Sequence, residues 1–205
     1  QAPGCGYVTK GLDPGFGLVV ALEEGQQLSG VQEAIRHALR HDPTDTWACD
    51  RCGARDGVNS REVQAPPDLL LVQLKRMAYD PAAPAESRSR KISATVPIED
   101  EIDLAPFLAR PAPPAAPEQV DPEQPIDLER AVLPPVAREP CRYRVRAVVV
   151  HSFSTAAIGH YMTHVRVDAP DGSPAWVRYN DSGVQSPKSA LPAKVQDDAY
   201  LIFYE

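Results

Sequence analysis

The sequence predicts a β-rich α+β fold, and three observations carry that reading. Its last third alternates apolar and polar residues over several runs, a period of two that fits half-buried strands. One short segment repeats its apolar residues at helical spacing instead, and one wholly apolar run follows a Pro66-Pro67 breaker. A chain of 205 residues is long enough for one main core.

The elements follow in order. Residues 18–22 (LVVAL) read as a strand. In residues 29–40 (SGVQEAIRHALR), Val31, Ile35 and Leu39 recur on one helical face, with Ser29 and Gln32 at capping-box positions. Residues 69–74 (LLLVQL) form a buried-type strand, and residues 91–98 a second. Between Pro111 and Pro140 lie nine of the chain's 22 prolines, in a composition that buries too little apolar area to offset its ordering entropy. That segment is expected to be a surface insertion inside one β-rich body. Residues 143–151, 160–168, 175–180 and 199–204 then predict an antiparallel meander.

Composition narrows the functional classes. A net charge of -7 argues against nonspecific binding to nucleic acid or to an anionic membrane, since both need a basic face. No apolar run approaches the ~20 residues that span a bilayer, and the N-terminus lacks the blocks of a signal peptide. A soluble protein of the cytoplasm or nucleus is expected. The four cysteines, Cys5, Cys49, Cys52 and Cys141, are too few and too unevenly spaced for a secreted disulfide scaffold. The chain starts at Gln1, which suggests a processed chain, a fragment or the tail of something longer.

Asp171-Gly172 is a strong turn signal. Strands pairing across it bring position 160 opposite roughly 183, and a few residues of slack in the loop bring Asn180, Asp181 and Ser182 within reach of His160. An imidazole held by a short amide or carboxylate is two thirds of a nucleophile-activating triad. The other four histidines, His37, His41, His151 and His164, have no comparable partner in the sequence.

Several motifs in fixed order then add a resemblance. Residues 143–151, Gly159-His160-Tyr161, the run Trp176 to Ser182 and the closing Ala199 to Tyr204 resemble the C-terminal box of ubiquitin-specific proteases, the papain-like cysteine deubiquitinases. The run Leu69 to Arg76 looks like that family's L-x-x-x-L-K-R-F strand, with Met77 in place of the phenylalanine, and residues 91–104 look like the segment that follows it. The resemblance implies the palm and fingers of such a domain. Residues 1–65 would be the fingers region with one short helix, 66–110 and 141–205 the palm, 111–140 the insertion, and the helical thumb would be largely absent. It also implies the chemistry: a thiolate attacks the carbonyl of ubiquitin's terminal glycine, and the leaving lysine amine takes a proton from the histidine. His160 matches the general base and acid, and Asn180 the orienting residue. Asp181 matches a neighbouring polar residue and is the alternative third member. Residues 151–158 would form a loop beside the cleft. Ubiquitin and ubiquitinated proteins are the implied partners.

The family's nucleophile lies in a box resembling G-L-x-N-L-G-N-T-C-Y, and this sequence has no such stretch. None of its cysteines, Cys141 included, has the expected setting for a nucleophile, so the thiol is expected upstream, on a missing thumb segment or partner chain. Cys49-Asp50-Arg51-Cys52 is half of a zinc ribbon; the resemblance implies a second C-x-x-C upstream in the fingers, where this sequence reads Ala2-Pro3-Gly4-Cys5, with alanine in place of a fourth thiolate. No cofactor is required by the chemistry, and Cys49, Cys52 and Cys5 make an incomplete structural zinc site. Two functions stay open on the sequence: a deubiquitinase of which this is the C-terminal part, or an inactive module that binds ubiquitin or acts as a scaffold.

Overall fold

The computed structural model describes residues 5–9, 11, 17–39, 42–44, 46–84, 88–109, 140–152 and 159–205. The proline-rich segment falls outside them except for Pro140, as does all of the 151–158 loop except His151 and Ser152.

One large sheet organises the chain. Its strands are β1 (Leu18–Ala21), β4 (Leu70–Lys75), β12 (Ala199–Tyr204), β8 (Arg142–Ser152), β9 (His160–Asp168), β10 (Pro174–Asn180) and β11 (Gly183–Val184), in that spatial order, with β7 (Glu101–Asp103) paired to β8. The expected strands at 18–22, 69–74, 143–151, 160–168, 175–180 and 199–204 are all present within a residue or two. The meander is only partial. Strands β8, β9 and β10 run as consecutive hairpins, but β12 returns to the far side of β8 and inserts between it and β4. The sheet is also mixed, because β1 lies parallel to β4.

Two smaller hairpins stand apart from it: β2 (Asp42–Thr44) with β3 (Gly57–Asn59), and β5 (Met77–Tyr79) with β6 (Ser89–Lys91). The strand expected over 91–98 is therefore not formed. After Lys91 the chain runs irregularly, burying Ile92, Ala94 and Val96 while its backbone bonds Gly25, Gln26, Leu28 and Gln196. Proline at 97 and the shared bonding to loops leave no continuous ladder there.

Helix α1 (Val31–Ala38) buries Val31, Ala34 and Ile35, as its spacing predicts. Its cap differs from expectation. The N-cap is Gly30, not Ser29, and the orphan N–H groups of Val31 and Gln32 donate to the Glu99 carboxylate at 2.6 and 3.3 Å. Gly30 leaves room for that carboxylate, which a side chain there would strike. Ser29 donates instead to Glu33, and Gln32 accepts from the backbone of Asp103. A long-range carboxylate at the helix N-terminus satisfies the same donors and suits the dipole, so a local box is not needed.

Arg76 holds the C-terminal strand in place. Its side chain is 1% exposed, and its guanidinium donates to three backbone carbonyls: Ala199 at 2.6 Å, Ala94 at 2.5 Å and Gln196 at 3.0 Å. Burial pulls its pKa down, while Asp198 and Asp197 pull it back. Helix α2 (Val195–Asp198) thus meets the start of β12 around a single cation. Arg76→Met would leave the buried Ala199 and Ala94 carbonyls without this donor, and we expect a loss of about 3 kcal/mol of unfolding free energy. Urea denaturation of the variant measures it; an unchanged midpoint would remove Arg76 from this role.

Candidate active site

The β9–β10 register builds the site. Pro174 pairs with Asp168 and Tyr179 with Thr163, so residues 169–173 form the connecting loop. Within it the Asp171 carboxylate accepts from the Ser173 N–H and hydroxyl, and Gly172 takes φ 79°, a left-handed conformation open to glycine. Continuing the register one residue sets Asn180 opposite Met162 on the face that also carries His160. Asn180 is then His160's diagonal neighbour across the pair, within reach of a direct side-chain bond.

That bond is made: His160 Nε2 meets Asn180 Oδ1. The amide oxygen accepts, so the proton sits on Nε2 and the Nδ1 lone pair is free to take another. Among the described residues nothing bonds Nδ1. Asp181 is less engaged. Its carboxylate lies 3.7 Å from Nε2, too long for a hydrogen bond, and its side chain is 80% exposed. At φ 49° it turns the chain from β10 into β11, a conformation that aspartate tolerates better than most residues. Of the two expected third members, the structure brings Asn180 onto the ring and keeps Asp181 at the rim.

Behind the pair stands a histidine that the sequence gave no reason to single out. His151, opposite Tyr161 on β8, is buried, packs tilted at 48° against the Tyr161 ring with 4.6 Å between centroids, and sits where any side chain at position 159 would collide with it. Gly159 is therefore required by close approach, one residue before His160. Lys91 ties this corner down by donating to the His151 carbonyl at 2.8 Å and pairing with Asp198 at 2.5 Å. Parity did not mark it: buried Val148 and Val150 face the other side of β8, and His151 shares its face with the half-buried Ala147 and Val149.

No cysteine is brought to His160. Cys141 precedes β8 at the end opposite Ser152, which pairs with His160, and the intervening strand puts roughly 35 Å between them at ~3.3 Å per residue. The other three gather on each other. The Cys5, Cys49 and Cys52 sulfurs all lie within 4.8 Å of one another, with Cys5 and Cys49 3.7 Å apart. A tetrahedral zinc with ~2.3 Å bonds to sulfur spaces its ligands by about 3.8 Å, so the cluster fits three corners of such a site. Among the described residues no histidine or acidic side chain joins it as a fourth. Burial raises the Cys49 pKa, but backbone donors at Cys52 and Arg51 and the neighbouring thiols outweigh it and the net shift is downward. For Cys52 the Ala54 backbone donor lowers the pKa, and the Cys5 and Cys49 thiols outweigh it upward.

The profile of the ubiquitin carboxyl-terminal hydrolase family matches residues 17–204, and the chain belongs to that family. It is 23% identical over 157 residues, 75% of its length, to ubiquitin carboxyl-terminal hydrolase 48 of Danio rerio. Over 201 residues, 98% of its length, it is 21% identical to ubiquitin carboxyl-terminal hydrolase 42 of Homo sapiens. Among solved structures it is similar to the yeast SAGA DUBm with an Sgf73 mutant, at TM-score 0.67 and 18% identity. It is also similar to the SAGA Ubp8/Sgf11/Sus1/Sgf73 DUB module bound to ubiquitin aldehyde, at TM-score 0.66 and 20% identity. Each of these two matches covers 98% of this chain and 38% of the other, and the chain spans 12% of both curated relatives. The fold is that of the ubiquitin-specific protease catalytic domain. Among the described residues no helix is long and apolar enough to cross a membrane.

Burial, and then the Lys91 ammonium, hold the His151 pKa below its ordinary value, against Asp198. The folded protein therefore refuses a proton that the unfolded chain accepts, and its stability is complete above about pH 6.5 and falls as pH drops through that value. Denaturation midpoints compared at pH 7.5 and 5.5 should show the fall, and His151→Gln should remove part of it. A His151→Gln protein with the same pH dependence as the parent would contradict a neutral buried imidazole.

Proposed function

We propose that this chain is the part of a thiol-dependent deubiquitinase that holds the general base, and that the thiol comes from a part of the protein outside these 205 residues. The observation that carries it is the His160–Asn180 bond, which fixes the tautomer and leaves Nδ1 as the proton acceptor. Family membership and the short share of each relative that the chain spans support both halves of the reading.

The chemistry runs through those atoms. His160 Nδ1 takes the thiol proton, and the thiolate attacks the carbonyl carbon of ubiquitin's terminal glycine. As the C–N bond breaks, the imidazolium returns the proton to the departing lysine amine. Water, deprotonated by the same nitrogen, then hydrolyses the thioester. Asn180 keeps the ring oriented through the cycle and gains strength when the ring is positive. Ubiquitin and its conjugates are the substrates, in the cytoplasm or nucleus.

We infer further that Cys5, Cys49 and Cys52 are the residues that would hold a structural zinc. The ion would cross-link the β2–β3 hairpin to the N-terminal segment and take no part in the reaction. Elemental analysis should find about one zinc per chain, and chelation should lower the melting temperature. A metal-free protein with an unchanged melt after chelator would mean that this hairpin is held by packing.

Hydrolysis of a ubiquitin C-terminal amide by the full-length protein tests the activity. His160→Ala should cost about 10²- to 10⁴-fold in kcat/KM. Asn180→Ala and Gly159→Ala should each cost less, acting through ring position. Ubiquitin binding without cleavage by the full-length protein would contradict this reading and favour a binding module.

A further inference from the structure

On the face of β9 and β10 that carries His160, but farther along the strands, a cavity of about 30 Å³ opens among His164, Arg178, Gln185, Ser186 and Lys188. The register places Arg178 directly opposite His164. Lys188 is fastened beside them by a backbone bridge, in which Trp176 and Lys188 exchange bonds of 2.7 and 3.0 Å.

The cavity concentrates positive charge in an otherwise acidic chain. Among the described residues, no carboxylate pairs with Arg178 or Lys188. Arg178 Nε is buried with no hydrogen-bond partner, and the His164 ring, 5% exposed, lies directly opposite it. A buried N–H left without an acceptor costs about 1–3 kcal/mol, so converging donors of this kind point to an acceptor that binds there. The enclosed space is too small for a nucleobase or a sugar ring, and a tetrahedral oxyanion would seat part of its oxygens in it and the rest at the open mouth.

We propose that this cavity binds a compact, doubly charged oxyanion, a phosphate-type group, with Arg178, Lys188 and His164 as its donors and Ser186 and Gln185 at its mouth. A single carboxylate would leave positive charge in excess, whereas a dianion balances Arg178 and Lys188. It would also tie the end of β10 to the 185–192 segment. The group is either a free ion or a phosphoryl carried on a peptide side chain, and the mouth is open to both.

His164 reports on occupancy. Burial, then Arg178 and Lys188, hold its pKa below the ordinary histidine value. The strand on its other side, β8, sets Val148 opposite it and offers no charge, while Arg166 on its own strand faces Asp100 at 3.3 Å. An anion among these groups reverses the balance, so binding takes up a proton.

Isothermal titration of the full-length protein, in chloride at matched ionic strength, tests the site with sodium sulfate, inorganic phosphate and O-phosphoserine. Sulfate stays dianionic near neutrality, and its affinity should rise as pH falls from 8 to 6. His164→Gln should abolish that rise. Arg178→Gln and Lys188→Gln should each weaken binding at least tenfold, the latter without disturbing the fold, because Lys188 is held by its backbone. Tighter binding of O-phosphoserine than of inorganic phosphate would assign the site to a phosphorylated side chain, and the reverse to the free ion. No saturable heat, or equal binding by the variants, would mean an adventitious ion only and overturn the proposal. These readouts are independent of hydrolytic activity.

Discussion

The pairing register of β9 on β10 is the constraint on which the site depends. Side chains alternate faces along a strand, so a slip of one residue moves every one of them to the other side. A two-residue turn at Asp171-Gly172 would set Asn180 against Thr163, on the face away from His160. The five residues 169–173 shift the pairing by one and bring the amide to the imidazole's face. The Asp171–Ser173 bonds and the left-handed Gly172 hold that loop length, so a turn far from the chemistry decides which residues share it.

The register needs a rigid sheet to act on, and buried polar groups supply it. Arg76 anchors the start of β12 beside β8 and β4, and the Lys91–Asp198 pair fixes the corner under His151. Breaking either leaves an uncompensated polar group inside, which makes these positions costly to vary. Gly159 and His151 complete the corner by close packing, and His160 follows directly. The position of His160 is thus a consequence of packing on the neighbouring strands.

Much of this was legible in the sequence. Period-two alternation marked β8, β9 and β10, a wholly apolar closing run marked β12, and the order of motifs marked the family. What the sequence hid were features set by distant chain. The carboxylate capping α1 comes from Glu99, almost seventy residues on, which no local capping pattern reveals. The return of β12 to the far side of β8 and the irregular path after Lys91 depend on which backbone groups find partners across the core. The basic cavity around Arg178 escaped notice because its three members meet only once β10 pairs with β9 and Lys188 bridges back. Of the three-cysteine cluster, the Cys49–Cys52 pair was readable from spacing, while Cys5 entered only through the resemblance to the family's finger region.

The central claim is that Asn180 fixes the proton on Nε2 of His160 and leaves Nδ1 to receive the thiol's. Nitrogen-15 chemical shifts of the His160 ring, recorded near pH 8 on the full-length protein, report this directly. The account predicts a ring nitrogen spectrum of the Nε2–H tautomer, shifting toward a mixture in Asn180→Ala. An Nδ1–H tautomer, or a spectrum that the substitution leaves unchanged, would contradict it.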